Sequence, residues 1–472
     1  MINKIKRKPG SQKALSVFAL VMINVIAVDS LRNLTMGAEY GLALIFFYGL
    51  AALLFFLPTL LVTAELATGW PITGGSYVWV REAFGPRIGF LAIWLQWIYN
   101  VVWYPTIFAF IAGILAHLIH PEWVNNQVYM VTVVLVLFWS MTFVNCFGLS
   151  VSSWVSTVGA IFGTLLPMLL IVFLGFIWLL LGKPSQIDFS ASRFLPDQMD
   201  LKNLAFMTNV LFGLMGMEMS AVHAGDVQEP AKDYPRALGY SCLIILATLI
   251  FASLAITIVV PLQELNLVSG LIDAFAIFFK AFQLPFLIPV VAILIVIGSM
   301  SGAAAWIIGP ARGLWVASDD SKLPLFFKKV NKKKMPIGIL LLQGLIVTLL
   351  CALFFVMPSV KSSYWLLSNL TAQLALLFYI LLFSAALRLH HKCIHVKRAF
   401  KIPGGAFGIW LVCGTGILTC VTAIVLGFLP PTQVDIGQVG HYEAMLVLGV
   451  LACCLPPFFF HAFYKRKFKR EQ

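Results

Sequence analysis

Runs of about twenty apolar residues follow one another along almost the whole chain, and a run of that length is what an α-helix needs to cross the hydrocarbon core of a bilayer. They fall at residues 14–34, 40–67, 88–118, 128–147, 154–181, 204–223, 237–260, 285–316, 337–357, 364–389, 407–429 and 442–463. Lipid offers the backbone no hydrogen-bond partner, so an open segment crossing it must close its own ladder as a helix. The chain is therefore expected to be an all-α integral membrane protein with about twelve transmembrane helices. Composition supports this. Of the 472 residues, 61% are hydrophobic and 11% charged, against roughly 45–50% and 25% in a soluble domain. A water-soluble core cannot hide that excess, because surface grows too fast with size.

The charges orient the spans. The net charge is +13, and the basic residues sit in short segments between apolar runs, which reads as topology signalling and contact with anionic lipid rather than nucleic-acid binding. With twelve spans they gather on one face. That face carries Lys4, Lys6, Arg7 and Lys8, then Arg81 and Arg87, Lys232 and Arg236, Arg312, Lys322 and Lys328 through Lys334, Arg388 through Lys401, and the tail from Lys465 to Arg470. The expected location is the inner (plasma) membrane, multi-pass, with both termini cytoplasmic. The basic start followed by an apolar run superficially resembles a signal peptide, but the many later spans favour an uncleaved first helix. The eight cysteines fall mostly in or beside apolar runs without a CxxC, as small buried residues do. His390, His391, Cys393 and His395 have metal-like spacing, but a solvated, lipid-facing loop is the expectation there. No cofactor, metal, nucleophile–base pair or phosphate loop is expected, and the chain is read as a non-enzyme.

Two places resist a plain helix. The first span carries Asn24, Asp29, Ser30, Arg32 and Asn33; the sixth carries Gly213, Gly216 and Glu218. A carboxylate at bilayer depth costs at least ~2.5–3.5 kcal/mol unless it is paired, neutralised or facing water. Glycines weaken a helix, and exposed backbone at that depth survives only where it lines a cavity or is covered by protein. Interrupted helices at corresponding positions of two halves point to a transporter site. The expected organisation is a basic N-terminus (1–13), a first five-helix repeat (14–181), an external loop (182–203), a second, inverted repeat (204–389), a basic loop (390–406), helices eleven and twelve (407–463) and a basic tail (464–472).

Four segments carry a family resemblance. After span two the chain reads Ala64-Glu-Leu-Ala-Thr-Gly-Trp-Pro-Ile-Thr-Gly-Gly-Ser-Tyr-Val-Trp-Val80, then Ala83-Phe-Gly-Pro-Arg-Ile-Gly-Phe90. Later come Gly216-Met-Glu-Met-Ser220 with Gln228-Glu-Pro-Ala-Lys-Asp-Tyr-Pro-Arg236, Trp306-Ile-Ile-Gly-Pro-Ala-Arg-Gly313, and Phe400-Lys-Ile-Pro-Gly-Gly405. Together these resemble the amino acid–polyamine–organocation superfamily, closest to its glutamate/γ-aminobutyrate antiporter branch, over nearly the whole chain. The resemblance implies a LeuT-like fold of two inverted five-helix repeats plus two helices. It implies alternating access around a site at helices one, three, six, eight and ten, with amino acids as small-molecule partners beside membrane lipid. No nucleic-acid partner is expected, and a homodimer is compatible.

Placed on this sequence, the substrate site would draw on Val25, Ile26, Ala27, Asp29 and Ser30 of helix one and on Gln96, Tyr99 and Asn100 of helix three. It would add Gly213, Leu214, Gly216 and Met217 of helix six, and Ser299, Ser301, Gly302 and Trp306 of helix eight. Glu218 is the candidate for proton or pH coupling, with a structural hydrogen bond as its bland alternative. Asp29 either meets a substrate amine or pairs locally with Arg32, for which the spacing is right. Gly298-Ser-Met-Ser-Gly302 is either site lining or a small-residue packing face. Three departures stand out. Residues 24–30 contain no glycine where many relatives have a glycine-rich break. Gly302 stands where glutamate exchangers carry an acidic residue, and Leu374 and Phe378 stand roughly where they carry helix-ten tyrosines. The chain also ends at Gln472, without the long C-terminal extension of some relatives.

Overall fold

The computed structural model describes residues 16–70, 75–147, 159, 161–196, 207–223, 229–320, 324–430 and 434–460, and no strand occurs among them. Ten helices are long and apolar enough to cross a bilayer. In chain order with the shorter ones, α1 is Val17–Val28, α2 Arg32–Ala38, α3 Gly41–Gly69, α4 Gly75–Phe84 and α5 Pro86–Ile119. Next come α6 Gln127–Cys146, α7 Ile161–Leu180, α8 Met207–Gly213, α9 Pro230–Val259 and α10 Gly270–Ala281. The last five are α11 Leu287–Asp320, α12 Ile337–Val356, α13 Val360–Lys392, α14 Gly405–Gly427 and α15 Val439–Phe460.

The first expected span is the pair α1 and α2, bent by 64°. The sixth is α8 followed by a 3₁₀ segment, Met217–His223; residues 204–206 of that expected span lie outside the described residues. The start of the fifth expected span and the end of the last lie outside the described residues. The seventh begins seven residues ahead of its apolar run, at Pro230, and the other boundaries agree to within about four residues. Two helices were not legible as such. The signature segment after span two contains α4, whose Tyr77, Trp79 and Val80 are buried. The connection before the eighth span contains α10, which buries Phe275, Phe278 and Phe279. Both are too short to cross lipid, so a search for twenty-residue runs passes over them.

Burial separates interior from lipid-facing helices. In α5 and α13, 72% of the most apolar stretch is buried; in α15 the share is 11%. Helix α5 packs against both α11 and α13, and α1 packs against the Met217–His223 segment and α9. The end of the bundle that carries the basic loops is closed by Glu65 of α3. Its carboxylate accepts from Arg398 at 2.8 Å and from the Ile402 N–H at 2.9 Å, and it lies 3.1 Å from His390 Nδ1. The expected loop from residue 390 begins only after Lys392, because His390 and His391 close the last turn of α13. His390 and the loop behind it, with no acid near them in sequence, thus take one from a helix more than three hundred positions away. At the opposite end Lys361 of α13 lies 3.7 Å from Glu39, just past α2.

The small-residue face on α11 divides its work. A Cβ on Gly298 would stand 2.3 Å from backbone atoms of Gly163 in α7, while Gly302 has nothing within 4 Å of that position. Gly298 thus packs on α7 and also lines a cavity beside the helix breaks, while Gly302 faces open space. Overpacking a tight contact typically costs about 1–3 kcal/mol. Gly298→Val should therefore lower the melting temperature of the purified protein clearly, and Gly302→Ala should leave it near wild type. Equal effects would show that the α7–α11 contact is looser than described.

Candidate substrate-binding site

The break in the first span follows from its residues. Asp and Ser side chains compete with helical backbone bonding, and α1 stops at Asp29, whose backbone is extended (φ −77°, ψ 105°). The side chain of Asp29 is buried, and Oδ2 accepts from Thr248 of α9 at 2.7 Å. Oδ1 is also buried and has no protein partner. Arg32 opens α2. Its Nη1 donates to Ser368 of α13 at 2.9 Å, and its guanidinium lies over the rings of Phe212 and Tyr364 at 5.7 and 5.5 Å. No ion pair joins Asp29 to Arg32. The local pair that the spacing allowed is not made, because the bend turns α2 away and sends the two side chains to α9 and α13.

The second break lies at residues 214–216. Gly216 has φ +120°, a conformation that favours glycine. A Cβ there would stand 3.1 Å from the Ala27 carbonyl oxygen, so this glycine lets the two breaks touch. Its freed N–H donates to Tyr379 Oη of α13 at 2.9 Å, and that hydroxyl donates to Glu218 Oε2 at 2.5 Å. On the other side Gln96 Nε2 lies 3.5 Å from Glu218 Oε1, and Gln96 Oε1 accepts from Ser76 of α4 at 2.8 Å. Asn100 Nδ2 donates to the Gln96 carbonyl at 2.7 Å. Glu218 is thereby buried inside a ring of neutral donors drawn from α4, α5 and α13.

Beside the breaks lies a cavity of about 70 Å³, room for several waters at the roughly 10–15 Å³ that one requires. Nine of the expected residues line it: Ile26, Ala27, Asp29, Ser30, Tyr99, Asn100, Ser299, Gly302 and Trp306. Val25, Gln96, Gly213, Leu214, Gly216, Met217, Ser301 and Glu218 do not. Gln96, Gly216 and Glu218 form the hydrogen-bond ring just described. Gly213 packs on Asn33. Ser301 bonds back to the Ile297 carbonyl at 2.8 Å and lies against Gly159, just ahead of α7.

Sequence reasoning passed over Asn33, Trp103, Phe212 and Met215, which also line the cavity. Helical spacing holds an unused signal for Trp103, one turn beyond Tyr99. For Phe212 and Met215 only proximity to the glycines gave a hint. The tyrosine of the tenth helix is Tyr379, one position beyond the Phe378 of the sequence comparison.

Two interrupted helices meeting at a cavity inside a bundle of membrane-crossing helices is the architecture of a secondary transporter. The family follows directly: the chain belongs to the amino acid permease family, whose profile matches residues 13–451. Over 450 residues it is 51% identical to an uncharacterized transporter of Legionella pneumophila, covering 95% of this chain and 97% of that protein. It is 28% identical over 463 residues to a glutamate/gamma-aminobutyrate antiporter of Lactococcus lactis, covering 97% of this chain and 92% of that one. A probable agmatine/putrescine antiporter of the same species is 25% identical over 396 residues, 84% of this chain and 83% of its own. The chain is thus a multi-pass membrane transporter of a family that handles amino acids and related amines.

Proposed function

We propose that this transporter is an amino-acid antiporter of the inner (plasma) membrane, of the glutamate/γ-aminobutyrate type, with both termini in the cytoplasm. In this reading the two five-helix halves, residues 14–181 and 204–389, rock around the cavity between the helix breaks. The observation that carries it is Asp29. Asp29 lines the cavity at the break, and its Oδ1 is a buried acceptor without a protein partner. An unmatched buried carboxylate oxygen is costly, and a substrate ammonium satisfies it. The antiporters among the relatives, which span most of this chain, support exchange. Glu218 has the role of the coupling carboxylate. It stands behind the cavity and reaches the second break through the Tyr379 hydroxyl, so its protonation alters the bond that holds the Gly216 backbone.

A second reading, proton-coupled uptake without obligate exchange, also draws on Glu218, because a buried carboxylate in a span is the group a proton relay uses. Efflux of preloaded labelled amino acids from proteoliposomes separates the two. Exchange predicts efflux that needs an amino acid outside; efflux into amino-acid-free buffer, driven by a proton gradient, supports the second reading. The same vesicles test Glu218. Glu218→Gln keeps the size and the Tyr379 contact but cannot ionise, so it should flatten the dependence of transport on pH while the protein stays folded. An unchanged steep profile would assign the pH response to another group.

A further inference from the structure

We propose that Arg32 is the residue that recognises the substrate's carboxylate, so that Asp29 and Arg32 together restrict the site to dipolar amino acids and reject amines that lack a carboxyl group. The proposal rests on the transporter reading above and names the substrate class of that site.

A guanidinium stays protonated in proteins. Arg32 therefore holds a permanent positive charge in the interior of a membrane-embedded bundle, at 1% exposure. Its hydrogen-bond partner is neutral: Ser368 at 2.9 Å. The rings of Phe212 and Tyr364 supply cation–π contacts on its faces, and those do not saturate its donors. Nε and Nη2 are buried and have no partner. A buried cation with two idle donors is costly, and the group that satisfies it is an anion with two acceptor oxygens in one plane. A carboxylate has that geometry and binds a guanidinium through two parallel bonds.

Position ties Arg32 to the site. The residues on either side of it, Leu31 and Asn33, line the cavity, and so does Phe212, whose ring carries the guanidinium at 5.7 Å. Phe212 is thus a single-ring partition between Arg32 and the cavity. Movement of that ring, or of the bent α2, joins them. Asp29, three residues earlier, lines the same cavity, and its Oδ1 is buried and without a protein partner.

The local sequence gives a reason for a side chain to do this work. Recognition of a carboxylate by backbone N–H groups at a helix break needs close approach, which glycine permits. Residues 24–31 contain no glycine, so side chains crowd this break, and the carboxylate falls to the cation beside it. The rival explanation is that Arg32 only bolts α2 to α13. A bolt affects every ligand alike, whereas a carboxylate receptor affects only ligands that carry one.

Equilibrium binding to the purified full-length protein decides between them, using amino acids paired with the amines left when the α-carboxyl is removed: leucine with isoamylamine, and ornithine with putrescine. Wild type should favour the amino acid of each bound pair by at least tenfold. A charge-assisted contact contributes about 1.5–3 kcal/mol, so Arg32→Gln should weaken amino-acid binding about tenfold to hundredfold and leave amine binding unchanged, bringing the ratio near one. Arg32→Lys keeps the charge and loses the planar fork. It should give an intermediate ratio at a wild-type melting temperature, and it stands in should the glutamine variant fail to fold. Equal loss for both members of a pair would overturn the proposal in favour of the bolt. Wild-type preference for the amines would overturn it and leave the transporter reading intact. Binding of neither class, while labelled substrates also fail to exchange in vesicles, would sink both.

Discussion

A backbone N–H at bilayer depth has no water to bond to, and the whole interior of this protein is arranged around the two places where that rule is strained. The first span stops at Asp29 and the sixth stops before Gly216, and each break is answered from another helix. Gly216 gives its N–H to Tyr379. Asp29 leans on Thr248 and Arg32 on Ser368. Because Tyr379 and Ser368 both belong to α13, that helix must be buried along nearly its full length, and it is among the most buried spans of the bundle. Without α13 the second break would leave an orphaned donor and an unsupported carboxylate in lipid, at a cost of several kcal/mol.

Everything outside these breaks keeps them in place and apart from lipid. α5 supplies the Gln96 arm of the Glu218 ring and the Tyr99–Asn100 wall of the cavity. The close Gly163–Gly298 approach brings α7 onto α11, and one turn further along α11 Gly302 is left open toward the cavity. At the basic end, Glu65 gathers His390, Arg398 and the Ile402 N–H into one cluster, tying the loop after α13 to α3. At the other end Lys361 and Glu39 approach across α13 and the end of α2. A site that must open alternately to two sides needs closures at both ends, and these are the polar contacts that the fold places there.

The spans were legible because lipid imposes a length and a composition that no soluble fold shares. The breaks were legible for a related reason: Asp29, Arg32, Gly216 and Glu218 are residues that a simple spanning helix does not tolerate. What escaped the sequence were partnerships across long separations. Spacing suggested that Asp29 meets Arg32, but a 64° bend, which periodicity cannot supply, sends them to different helices. Tyr379 reads as one aromatic among many in an apolar run, and only the register of α13 against the second break makes it the ligand of Glu218. The same holds for Phe212, an ordinary packing residue by type, which lines the cavity and carries the Arg32 guanidinium over its ring.

The claim on which the account depends is that the substrate sits at the break of the first span and is held there by Asp29. The direct measurement is the dissociation constant of an exchanged amino acid for Asp29→Asn, taken beside the variant's melting temperature. Asparagine retains an oxygen for the Thr248 hydroxyl, and the unpartnered oxygen is the one whose charge is removed. The account predicts affinity lower by about tenfold to hundredfold, as for loss of one charge-assisted bond, with a melting temperature near that of wild type. Unchanged affinity would place the substrate elsewhere. A collapse in thermal stability that accounts for the lost binding would make Asp29 a structural residue.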